Sequence, residues 1–578
     1  MVYPRVRRGQ PSADLHQIST NLAGCVGASC SLFGVSAPSL PAFGSVGEIK
    51  EFCAGLLDPC GPAHPLREWL DTKEAVFRAS FAHSLFLFRK TLPAGSEEEA
   101  LSSFIKKMTT PSQPVDPAFL AFCKREIPRL FRPGWDRRYQ RATYSLSPPT
   151  SASYTSSRKA GGVRGSCSTS SRAAAAVARG LIGSRSLGRI PVCKVRAVPD
   201  GGKWRVVTVN PDDCLALRPL HSVIYDHLST QKWLLRGDAK SSSFTDFSLR
   251  RGEEFVSGDY EAATDNIPLE LYRVLLDAVA LTSTHVPREV WSLARSESKK
   301  LFVGSRGQLL GVQERGQLMG SYLSFPFLCL LNYLCFRWAV PRKGVPVRIN
   351  GDDIVFRCRP DEKERWFAQV ANCGLVVSRG KTMVDSRFFT LNSSLFRGVE
   401  TGCSTVGFFR SKAYFSKPDT VDALVGQLAS VVVGFPGSSA KDTIMASFLG
   451  RNAAILAWSQ LSLTRDLHAR VSRKVLRLSG LYDRERFYLG LPAPPRPHGV
   501  VPAGFRRAVL PMRHRGRKGA RVEERLFHQH LIELSWLGRA PEVPVWRGTF
   551  RYVPRLQGRF RVRLGGISTF LGRVEEVR

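Results

Sequence analysis

Four aspartates at two places in the sequence have the type and spacing that could hold metal ions. Asp352 and Asp353 are adjacent in VRINGDDIVFRC, residues 347–358, and Asp259 and Asp265 lie in SGDYEAATDNI. Adjacent carboxylates repel each other unless a cation lies between them. Both places are therefore candidates for a hard divalent cation. The ordinary alternatives are a solvated hairpin tip, a solvated strand end and a helix cap.

Each acidic stretch lies where a predicted strand ends. Residues 347–358 are two β-prone runs around Asn350-Gly351, a dipeptide that tolerates positive φ, so they predict a β-hairpin with an acidic tip. The stretch EEFVSGDYEAATDNIPLELYRVLLDAVALT predicts a strand that runs into a helix. That arrangement places Asp259 at the strand end and Asp265 near the start of the helix.

A glycine- and serine-containing segment separates the two acidic stretches. In QERGQLMGSYLSFPFLCLLN, residues 313–332, Gly316 and Gly320 are followed by Ser321 and Ser324. This pattern predicts a backbone loop that approaches a ligand closely and then begins a helix. A turn that leads into a core helix is the alternative.

The apolar run YLSFPFLCLLNYLCFRWAV, residues 322–340, approaches the length of a membrane-spanning helix. It contains Pro326, Asn332 and Arg337, which disfavour a membrane span. We therefore predict a buried core helix here and no stable insertion into a membrane.

Basic residues flank the acidic stretches on both sides. KVRAVPDGGKWRVVTV predicts a β-hairpin from which Lys203 and Arg205 project, and Lys381 lies in GLVVSRGKTMVDSRFF after the acidic hairpin. Taken singly, these cations are equally compatible with an exposed hairpin face and a surface lysine.

The composition indicates a folded protein with a polyanionic partner. The chain has 578 residues with 43% apolar residues, and 84 Lys and Arg against 48 Asp and Glu give a net charge of +36. Such an excess of positive charge favours nucleic acid as the partner. An anionic membrane surface is the alternative, but no basic amphipathic helix supports it.

The cysteines and the amino terminus indicate an intracellular protein. The 13 cysteines include no C-x-x-C pair, and the one cluster that could bind zinc, Cys25, Cys30, Cys53 and Cys60, has spacings that fit no common zinc motif. Reduced, buried thiols are the favoured interpretation. The basic start MVYPRVRRGQPSADL lacks an apolar signal region, which predicts that the protein is not secreted and leaves an organelle transit signal as an alternative.

The order of these segments resembles the motifs F, A, B, C, D and E of viral RNA-dependent RNA polymerases. The sequence is most similar to the polymerases of ourmia-like viruses (botourmiaviruses), followed by those of narnaviruses. SGDYEAATDN, GQLMGSYLSFP and INGDDIVF carry the resemblance, and WLLRGDA supports it. The resemblance covers roughly residues 190–400.

Two positions depart from the pattern of that family. Many such polymerases have an asparagine four residues after the Ser or Thr of motif B, where this sequence has Leu328, and the nearest asparagine is Asn332. The motif F hairpin reads PDGGK where relatives often have a Glu-Pro-Gly-Lys turn, which favours Lys203 among its neighbours.

The resemblance implies nucleotidyl transfer assisted by two metal ions. In such a site two Mg²⁺ ions about 4 Å apart activate the attacking oxygen and stabilise the leaving pyrophosphate. By resemblance, Asp259 and Asp352 hold the metal ions and Asp353 assists them. Mn²⁺ can substitute for Mg²⁺.

The same resemblance implies roles for five residues around the nucleotide. Lys203 and Arg205 would bind the triphosphate, and Lys381 would be the catalytic general acid for pyrophosphate. Gly320 and Ser321 would form a mobile loop beside the template and the nucleotide.

Ribose recognition is implied for Asp265, helped by Ser324 and by Asn332. These side chains would contact the 2′-hydroxyl and favour ribonucleotides. Which polar group of motif B takes part is left open by the departure at Leu328.

The implied fold is an α+β right-hand polymerase with fingers, palm and thumb. Its palm has an antiparallel sheet, and its fingers and thumb are largely helical. A hairpin around Asn392, Ser393 and Phe396 would support the primer end. The predicted regions are a mainly helical N-terminal region (1–145), fingers with a flexible basic segment and the motif F hairpin (146–250), palm with motifs A to E and an insertion at about 280–310 (251–400), helical thumb (401–490) and basic C-terminal extension (491–578).

The function implied by the resemblance is replication of a positive-strand RNA virus genome. The implied partners are RNA template and product, NTPs, and viral RNA in a ribonucleoprotein, with the host cytoplasm as the location and a mitochondrion as the alternative. A non-catalytic coat- or movement-type RNA-binding protein would also explain the charge, but not the ordered carboxylates. Reverse transcriptases usually carry an aromatic and a variable residue before Asp-Asp, unlike Asn350-Gly351 here.

Overall fold

The computed structural model of the chain is a mixed α and β fold whose sheets are largely antiparallel, in agreement with the predicted α+β class. It describes residues 15–57, 64–166, 169–183, 191–492, 506–510 and 542–546. Cys60 and most of the predicted C-terminal extension lie outside these residues.

Helices form most of the N-terminal part, and three of them begin at a side-chain cap. Ser45, Ser96 and Asp116 each accept a hydrogen bond from a backbone N–H in the first turn of the helix that follows. Such bonds satisfy donors that a helix leaves free at its start. The helices are α1 (Leu15–Ser31), α2 (Val46–Ala54), α3 (Arg67–Asp71), α4 (Ala75–Phe88), α5 (Glu97–Met108), α6 (Pro117–Leu130), α7 (Tyr139–Tyr144), α8 (Gly162–Ser166), α9 (Thr169–Ala178) and α10 (Arg218–Leu228).

The strands begin after these helices, with α10 between the second and the third. They are β1 (Val192–Asp200), β2 (Lys203–Val209), β3 (Glu254–Gly258), β4 (Leu301–Val303), β5 (Leu309–Val312), β6 (Val347–Asn350), β7 (Asp353–Cys358), β8 (Met383–Asp385), β9 (Phe388–Leu391), β10 (Ser394–Val399), β11 (Gly402–Val406), β12 (Arg506–Leu510) and β13 (Glu542–Trp546).

Further helices lie between these strands and follow β11. They are α11 (Ala263–Asn266), α12 (Leu269–Leu281), α13 (Arg288–Ser296), α14 (Ser324–Ala339), α15 (Pro360–Gln369), α16 (Ser411–Phe415), α17 (Val421–Val431), α18 (Ser439–Arg451), α19 (Ala453–Ser459), α20 (Arg473–Leu478) and α21 (Tyr482–Gly490).

The central sheet has the strand order β6-β7-β3-β8, and every neighbouring pair is antiparallel. Both faces of β3 and β7 are buried. Val256 and Phe356 belong to the core under α12 and α14, whereas Phe255 and Val355 belong to an aromatic cluster on the other face. Burial on both sides explains why these strands are near-continuous apolar runs, and it fixes the strand ends that carry the acidic residues.

The basic hairpin predicted from KVRAVPDGGKWRVVTV is present. Strands β1 and β2 pair antiparallel from Lys194 opposite Val209 to Asp200 opposite Lys203, so Gly201 and Gly202 form the turn. This hairpin belongs to a second sheet with the order β2-β1-β4-β5. The sheet holds Lys203 at the start of β2, next to the turn.

The segment before β1, which includes the predicted flexible basic segment, makes hydrogen bonds to its neighbours. Within its described part, the Tyr154 N–H donates to the carbonyl of Asn210 at 2.9 Å and Lys194 Nζ donates to the carbonyl of Tyr154 at 3.0 Å. Arg164 Nε donates to the carbonyl of Pro148 at 2.7 Å. The serine and glycine content therefore supplies tight turns that pack against β1 and β2.

The apolar run at 322–340 forms the buried helix α14, as predicted. This helix has 16 residues, of which 12 are buried, including Asn332 with no exposed surface. Over the residues that the structure describes, none of the helices combines the length and the apolar character that crossing a bilayer requires.

The buried Asp136 carboxylate ties the turn after α6 to the loop between α12 and α13. It accepts hydrogen bonds from Ser283 Oγ at 2.7 Å, the His285 N–H at 2.7 Å and the Thr284 N–H at 2.9 Å. Burial raises the pKa of this carboxyl, but these hydrogen bonds outweigh burial and lower the pKa to about 2. The ionised form of Asp136 therefore stabilises the fold.

We expect Asp136→Asn to lower the free energy of unfolding by about 2 kcal/mol at pH 7, because several donors lose a charged acceptor. The folded-state pKa lies below the ordinary value, so this stabilisation is present above about pH 4 and is lost as the pH falls towards 2. Urea unfolding at pH 7 and near pH 3 measures both effects. The exposed Asp277, paired with Arg295, provides the control Asp277→Asn, for which at most about 1 kcal/mol is expected. Equal losses in the two variants would contradict the prediction.

Candidate active site

Three of the predicted acidic residues meet at one end of the central sheet. Gly258, the last residue of β3, pairs with Ile354 of β7, so Asp259 follows directly beside Asp353. Asp352 lies in the turn that connects β6 with β7. The structure therefore brings Asp259 together with Asp352 and Asp353, which lie 93 and 94 positions later in the sequence.

The turn of the acidic hairpin lies one residue later than Asn350-Gly351. Asn350 pairs with Asp353 as the last residue of β6, so Gly351 and Asp352 form the turn. Gly351 has φ +68°, which a glycine in the first turn position adopts without strain. As a result Asp352 lies at the tip, exposed to the cleft, and Asp353 begins a strand.

Asn332 of α14 holds this turn from below. Its Nδ2 donates to the carbonyl of Gly351 at 3.1 Å and to that of Asp352 at 3.4 Å, and its Oδ1 accepts from the Tyr260 hydroxyl at 2.8 Å. The prediction that Asn332 contacts the nucleotide is therefore corrected, because its amide is fully buried and already bonded. Leu328, at the motif B position that often carries asparagine, is also buried.

The charge of Asp259 disfavours the charged forms of Asp352 and Asp353. Desolvation and the charge of Asp259 raise the pKa of Asp352, although Lys203 and Arg205 oppose the shift. Burial, followed by the charges of Asp352 and Asp259, raises the pKa of Asp353 to about 7. Burial and the neighbouring carboxylates thus disfavour the charged forms of Asp352 and Asp353.

Three neighbouring carboxylates of this kind fit a divalent metal ion. The oxygen donors of Asp259, Asp352 and Asp353 are those that Mg²⁺ and Mn²⁺ prefer. Throughout the described stretches, no three His, Cys, Asp or Glu side chains already converge as ligands of one ion. The donor chemistry and the repulsion among the three carboxylates are therefore the features that match a metal.

Predicted basic residues surround the carboxylates. Lys381 Nζ lies 3.5 Å from Asp259 Oδ2. Burial and the neighbouring cations Arg205 and Lys381 lower the pKa of Lys203, while Asp259 and Asp352 oppose that shift. Lys203 and Lys381 therefore face the same space above the carboxylates.

Arg205 is held by Asp200, an acidic residue of the β1–β2 hairpin. Its Nε donates to Asp200 Oδ2 at 2.5 Å, and Lys412 Nζ lies 3.7 Å from Asp200 Oδ1. The Arg205 charge also acts on Asp352, as its effect on the pKa of that carboxyl shows. The sequence did not single out Asp200 or Lys412.

The loop before α14 is bound to the end of β2. Both the N–H and the hydroxyl of Thr208 donate to the carbonyl of Met319, at 2.8 and 2.9 Å, and Asn210 Nδ2 donates to the carbonyl of Gly320 at 2.9 Å. Gly320 has φ +114°, and a Cβ at this position would lie 2.2 Å from the Thr208 oxygen. Only glycine fits this close approach to β2, and the predicted close approach of the loop to a ligand stays a prediction. Ser321 follows, half-buried, in the same loop.

Asp265 lies beside the start of this loop at Gly316, and Ser324 lies at its end. Ser324 is the first residue of α14 and is 4% exposed. Burial raises the pKa of the half-buried Asp265, while Lys107 and Arg315 oppose the shift. Lys203 also acts on Asp265, which places Asp265 at the edge of the same cleft as the three carboxylates.

The hairpin of β9 and β10 ends in a strained turn beside the carboxylates. Asn392 and Ser393 have φ of 51° and 57°, and the Asn392 backbone N–H bonds to Asp353. Phe396, predicted with them as primer support, is fully buried against Phe244 and Phe389. Phe396 therefore acts through the packing of the hairpin, whereas Asn392 and Ser393 lie at its tip.

Three cationic residues of the N-terminal region were not predicted to reach this cleft. Lys90 faces Asp353, Arg89 faces Asp259, and Lys107 faces Asp265. Nothing in the local sequence distinguishes them from surface cations.

One comparison with known proteins finds a relative. The sequence is 29% identical over 385 residues to the RNA-dependent RNA polymerase of Ourmia melon virus (isolate Melon/Iran/VE9). The match covers 55% of this chain and 44% of the relative, so it spans less than half of the relative's length. No protein-family model matches the chain. By its sequence, this chain is thus related to a viral RNA-dependent RNA polymerase of the ourmia type, the resemblance that its motifs predict.

Proposed function

We propose that this protein is an RNA-directed RNA polymerase that replicates a positive-strand RNA virus genome from NTPs. The observation that carries the proposal is the meeting of Asp259, Asp352 and Asp353 at one end of the central sheet, with Lys203 and Lys381 facing them. A cluster of carboxylates opposed by cations suits phosphoryl transfer, which depends on positioning and charge neutralisation. The similarity to a viral polymerase supports the same activity.

A right-hand architecture gives each part of the fold a place in this proposal. The palm comprises residues 251–400 with the central sheet and the β9–β10 hairpin, and the fingers include the β1–β2 hairpin of residues 146–250. Helices α16 to α21 form the thumb in residues 401–490. The cleft that holds the three carboxylates then lies between these regions, where template and product would pass.

In the proposed mechanism Asp259 and Asp352, assisted by Asp353, hold two Mg²⁺ ions, for which Mn²⁺ can substitute. When bound, the ions supply activation of the attacking 3′-oxygen and stabilisation of the leaving pyrophosphate. The turn contacts of Asn332 keep Asp352 at the tip of the hairpin, where its carboxylate faces the reacting groups.

The cations of the cleft neutralise the triphosphate. Lys203 and Arg205 project from the β1–β2 hairpin and bind the phosphates of the incoming nucleotide. Lys381, whose ammonium lies 3.5 Å from Asp259, is placed to protonate the leaving pyrophosphate as general acid. Gly320 and Ser321 lie in the loop beside the nucleotide, and Asn392 and Ser393 support the primer end.

We assign ribose recognition to Asp265 and Ser324. Asp265 is half-buried and lies at the edge of the cleft near Lys107, so its carboxylate can accept a hydrogen bond from a 2′-hydroxyl. We expect Asp265→Asn to lower the ratio of kcat/KM for ATP to that for dATP about 10- to 100-fold, the effect of a lost hydrogen bond to a charged group. Single-nucleotide incorporation with both substrates measures this ratio.

The exposed Glu270 of α12 provides the matched control for that experiment. Glu270→Gln removes one negative charge near Asp265 without altering the cleft, and its ATP to dATP ratio should equal that of the wild type. An unchanged ratio in Asp265→Asn would remove Asp265 from ribose recognition.

The proposed partners are RNA template and product, NTPs, and viral RNA in a ribonucleoprotein. The net charge of +36 supports this assignment, because a basic surface binds the phosphate backbone. We propose the host cytoplasm as the location. RNA affinity should fall steeply with salt, as it does for proteins that release counterions from a nucleic acid.

The proposal is tested by incorporation of labelled nucleotides on an RNA template with purified protein. Incorporation of rNTPs that requires Mg²⁺ or Mn²⁺ would support it. Preference for dNTPs would favour a reverse transcriptase, and RNA binding without any incorporation would favour a non-catalytic RNA-binding protein.

A further inference from the structure

Two lysines from outside the polymerase-like motifs lie close to each other, and one of them, Lys90, also reaches the Asn392–Ser393 turn. Lys90 follows α4 in a short turn at 89–91, and Lys412 belongs to α16. Both lie against the tip of the β1–β2 hairpin. A Cβ placed on Gly201 would be 3.6 Å from Lys412 Nζ and 3.7 Å from Lys90 Cβ. We call Lys90 and Lys412 the lysine pair.

Lys90 bridges the hairpin turn and the catalytic carboxylates. Its Nζ donates to Ser393 Oγ at 2.8 Å, although the two residues are 303 positions apart in the sequence. Its charge also faces Asp353, whose carboxylate bonds to the backbone N–H of Asn392. Lys90 is nevertheless exposed to the cleft, so its ammonium can reach a ligand there.

The charges around the lysine pair do not balance once the active site is loaded. Lys90 faces the cations Lys412 and Arg205 and the anions Asp353 and Asp200. Asp200 already accepts from Arg205 at 2.5 Å, and in the proposed mechanism Asp353 assists in holding metal. Neither Asp353 nor Asp200 is then available to neutralise Lys90. An anionic group of the substrate would neutralise it instead.

We propose that the lysine pair binds a backbone phosphate of the growing RNA strand close to its 3′ end. This inference rests on the proposed polymerase function, since the three carboxylates fix where the 3′-oxygen reacts. Lys90 bonds to Ser393 of the turn proposed to support the primer end, so a phosphate held by Lys90 would belong to the strand whose end reacts. The N-terminal region thereby contributes directly to substrate binding.

The alternative source of phosphate is the triphosphate of the incoming nucleotide, and steady-state kinetics distinguish the two. In single-nucleotide extension of a primer–template duplex, we expect Lys90→Met to raise the KM for the duplex about tenfold, the effect of a lost charged hydrogen bond. Its KM for ATP should stay within about twofold of the wild-type value. Lys90→Arg should restore most of the duplex affinity.

A chemical change in the RNA tests the same contact by altering the phosphate instead of the lysine. Replacing the phosphate nearest the primer 3′ end by a neutral methylphosphonate should weaken wild-type binding as Lys90→Met does. The two changes together should weaken binding no further, because they remove one interaction. A methylphosphonate far from the 3′ end should act independently of Lys90.

Lys106, an exposed lysine of α5 in the same N-terminal region, provides the control. Lys106→Met removes the same charge and should leave the duplex KM unchanged. The proposal is overturned if Lys90→Met raises the KM for ATP instead, if Lys90→Arg behaves like Lys90→Met, or if the methylphosphonate and Lys90→Met effects multiply.

Equilibrium binding separates this proposal from the proposed function. Fluorescence anisotropy with the duplex needs no turnover, so the comparison of normal and methylphosphonate primers remains valid even if the wild type extends neither. Equal affinity of the wild type for the two primers would reject the lysine-pair site. Lack of extension together with discrimination between the primers would reject the polymerase activity alone.

Discussion

Asp352→Asn should reduce nucleotide incorporation by about 10³-fold or more while leaving the protein folded. A bound metal ion supplies several kcal/mol of transition-state stabilisation, and each 1.36 kcal/mol corresponds to a factor of ten in rate. Asparagine keeps the shape of the side chain but loses the charge that holds the ion. Incorporation by the purified variant on an RNA template, over a range of Mg²⁺ concentrations, measures the loss.

The same substitution should not destabilise the metal-free protein. The pKa of Asp352 is raised by desolvation and by Asp259, so its charged form opposes folding at pH 7. Removing the charge also relieves Asp353, whose pKa is raised to about 7 by burial, by Asp352 and by Asp259. We expect the variant to have a Tm equal to or above that of the wild type in EDTA. Added Mg²⁺ should raise the Tm of the wild type more than that of the variant.

An exposed acidic residue nearby provides the control for both measurements. Asp361 of α15 lies on the surface, paired with Arg365 at 3.5 Å. Asp361→Asn should leave incorporation within about twofold of the wild type, because exposed pairs contribute little. Wild-type incorporation by Asp352→Asn would contradict the metal assignment, and a large drop in its Tm would show that the loss of activity reflects unfolding.

The three carboxylates were predictable because each lies at one end of a strand with a clear pattern. Burial on both faces made β3 and β7 apolar runs, and the acidic residues lie where the first run ends and the second begins. The local sequence does not determine which strands become neighbours. Pairing of Gly258 with Ile354 brings Asp259 beside Asp353, and the resemblance to polymerases was needed to anticipate it.

The exact turn of the acidic hairpin was beyond sequence reasoning. Asn350 and Gly351 both tolerate positive φ, so the dipeptide favours a turn centred on either side of the glycine. The buried amide of Asn332, which bonds the carbonyls of Gly351 and Asp352, coincides with the turn that is adopted. A lone asparagine in an apolar helix is in general a buried group with buried partners, and this is the signal that could have placed Asn332 below the site.

The N-terminal contribution to the cleft was not predictable for a different reason. Lys90 and Lys107 have ordinary sequence surroundings, and their partners lie far along the chain, 303 residues away in the case of Lys90 and Ser393. Contacts of this kind depend on how separately folded segments pack. No periodicity or spacing within residues 15–110 predicts these contacts.

Lys300→Met should lower the free energy of unfolding by about 3–5 kcal/mol, the largest stability effect that we expect from a single substitution here. Lys300 Nζ lies 2.6 Å from Glu297 Oε2, and the two side chains are 1% and 6% exposed. Burial alone lowers the pKa of Lys300, yet Cys214 and Glu297 raise it overall, so the ammonium is charged. Lys300→Met removes the ammonium that lies 2.6 Å from the buried Glu297 carboxylate, while the carboxylate stays in the interior.

Lys300→Met should also affect the active site, because Asn210 connects Lys300 to the loop before α14. Lys300 Nζ also donates to Asn210 Oδ1 at 2.6 Å, and Asn210 Nδ2 donates to the carbonyl of Gly320 at 2.9 Å. This chain of hydrogen bonds fixes the loop that precedes α14. We therefore expect Lys300→Met to lower incorporation at temperatures where the protein is still folded, with the largest change in the KM for the nucleotide.

The adjacent lysine makes a matched control. Lys299 Nζ lies 2.6 Å from Glu314 Oε1, the same distance, but these side chains are 38% and 35% exposed. Lys299→Met should therefore lower the free energy of unfolding by at most about 1 kcal/mol, since solvent already screens the pair. Urea unfolding of both variants, with Lys300→Met/Glu297→Gln as a third, compares them directly. If the buried charge of Glu297 causes the loss once Lys300 is replaced, the double variant should recover part of the loss. Equal losses for Lys299→Met and Lys300→Met would show that burial of the Lys300 pair does not determine the effect.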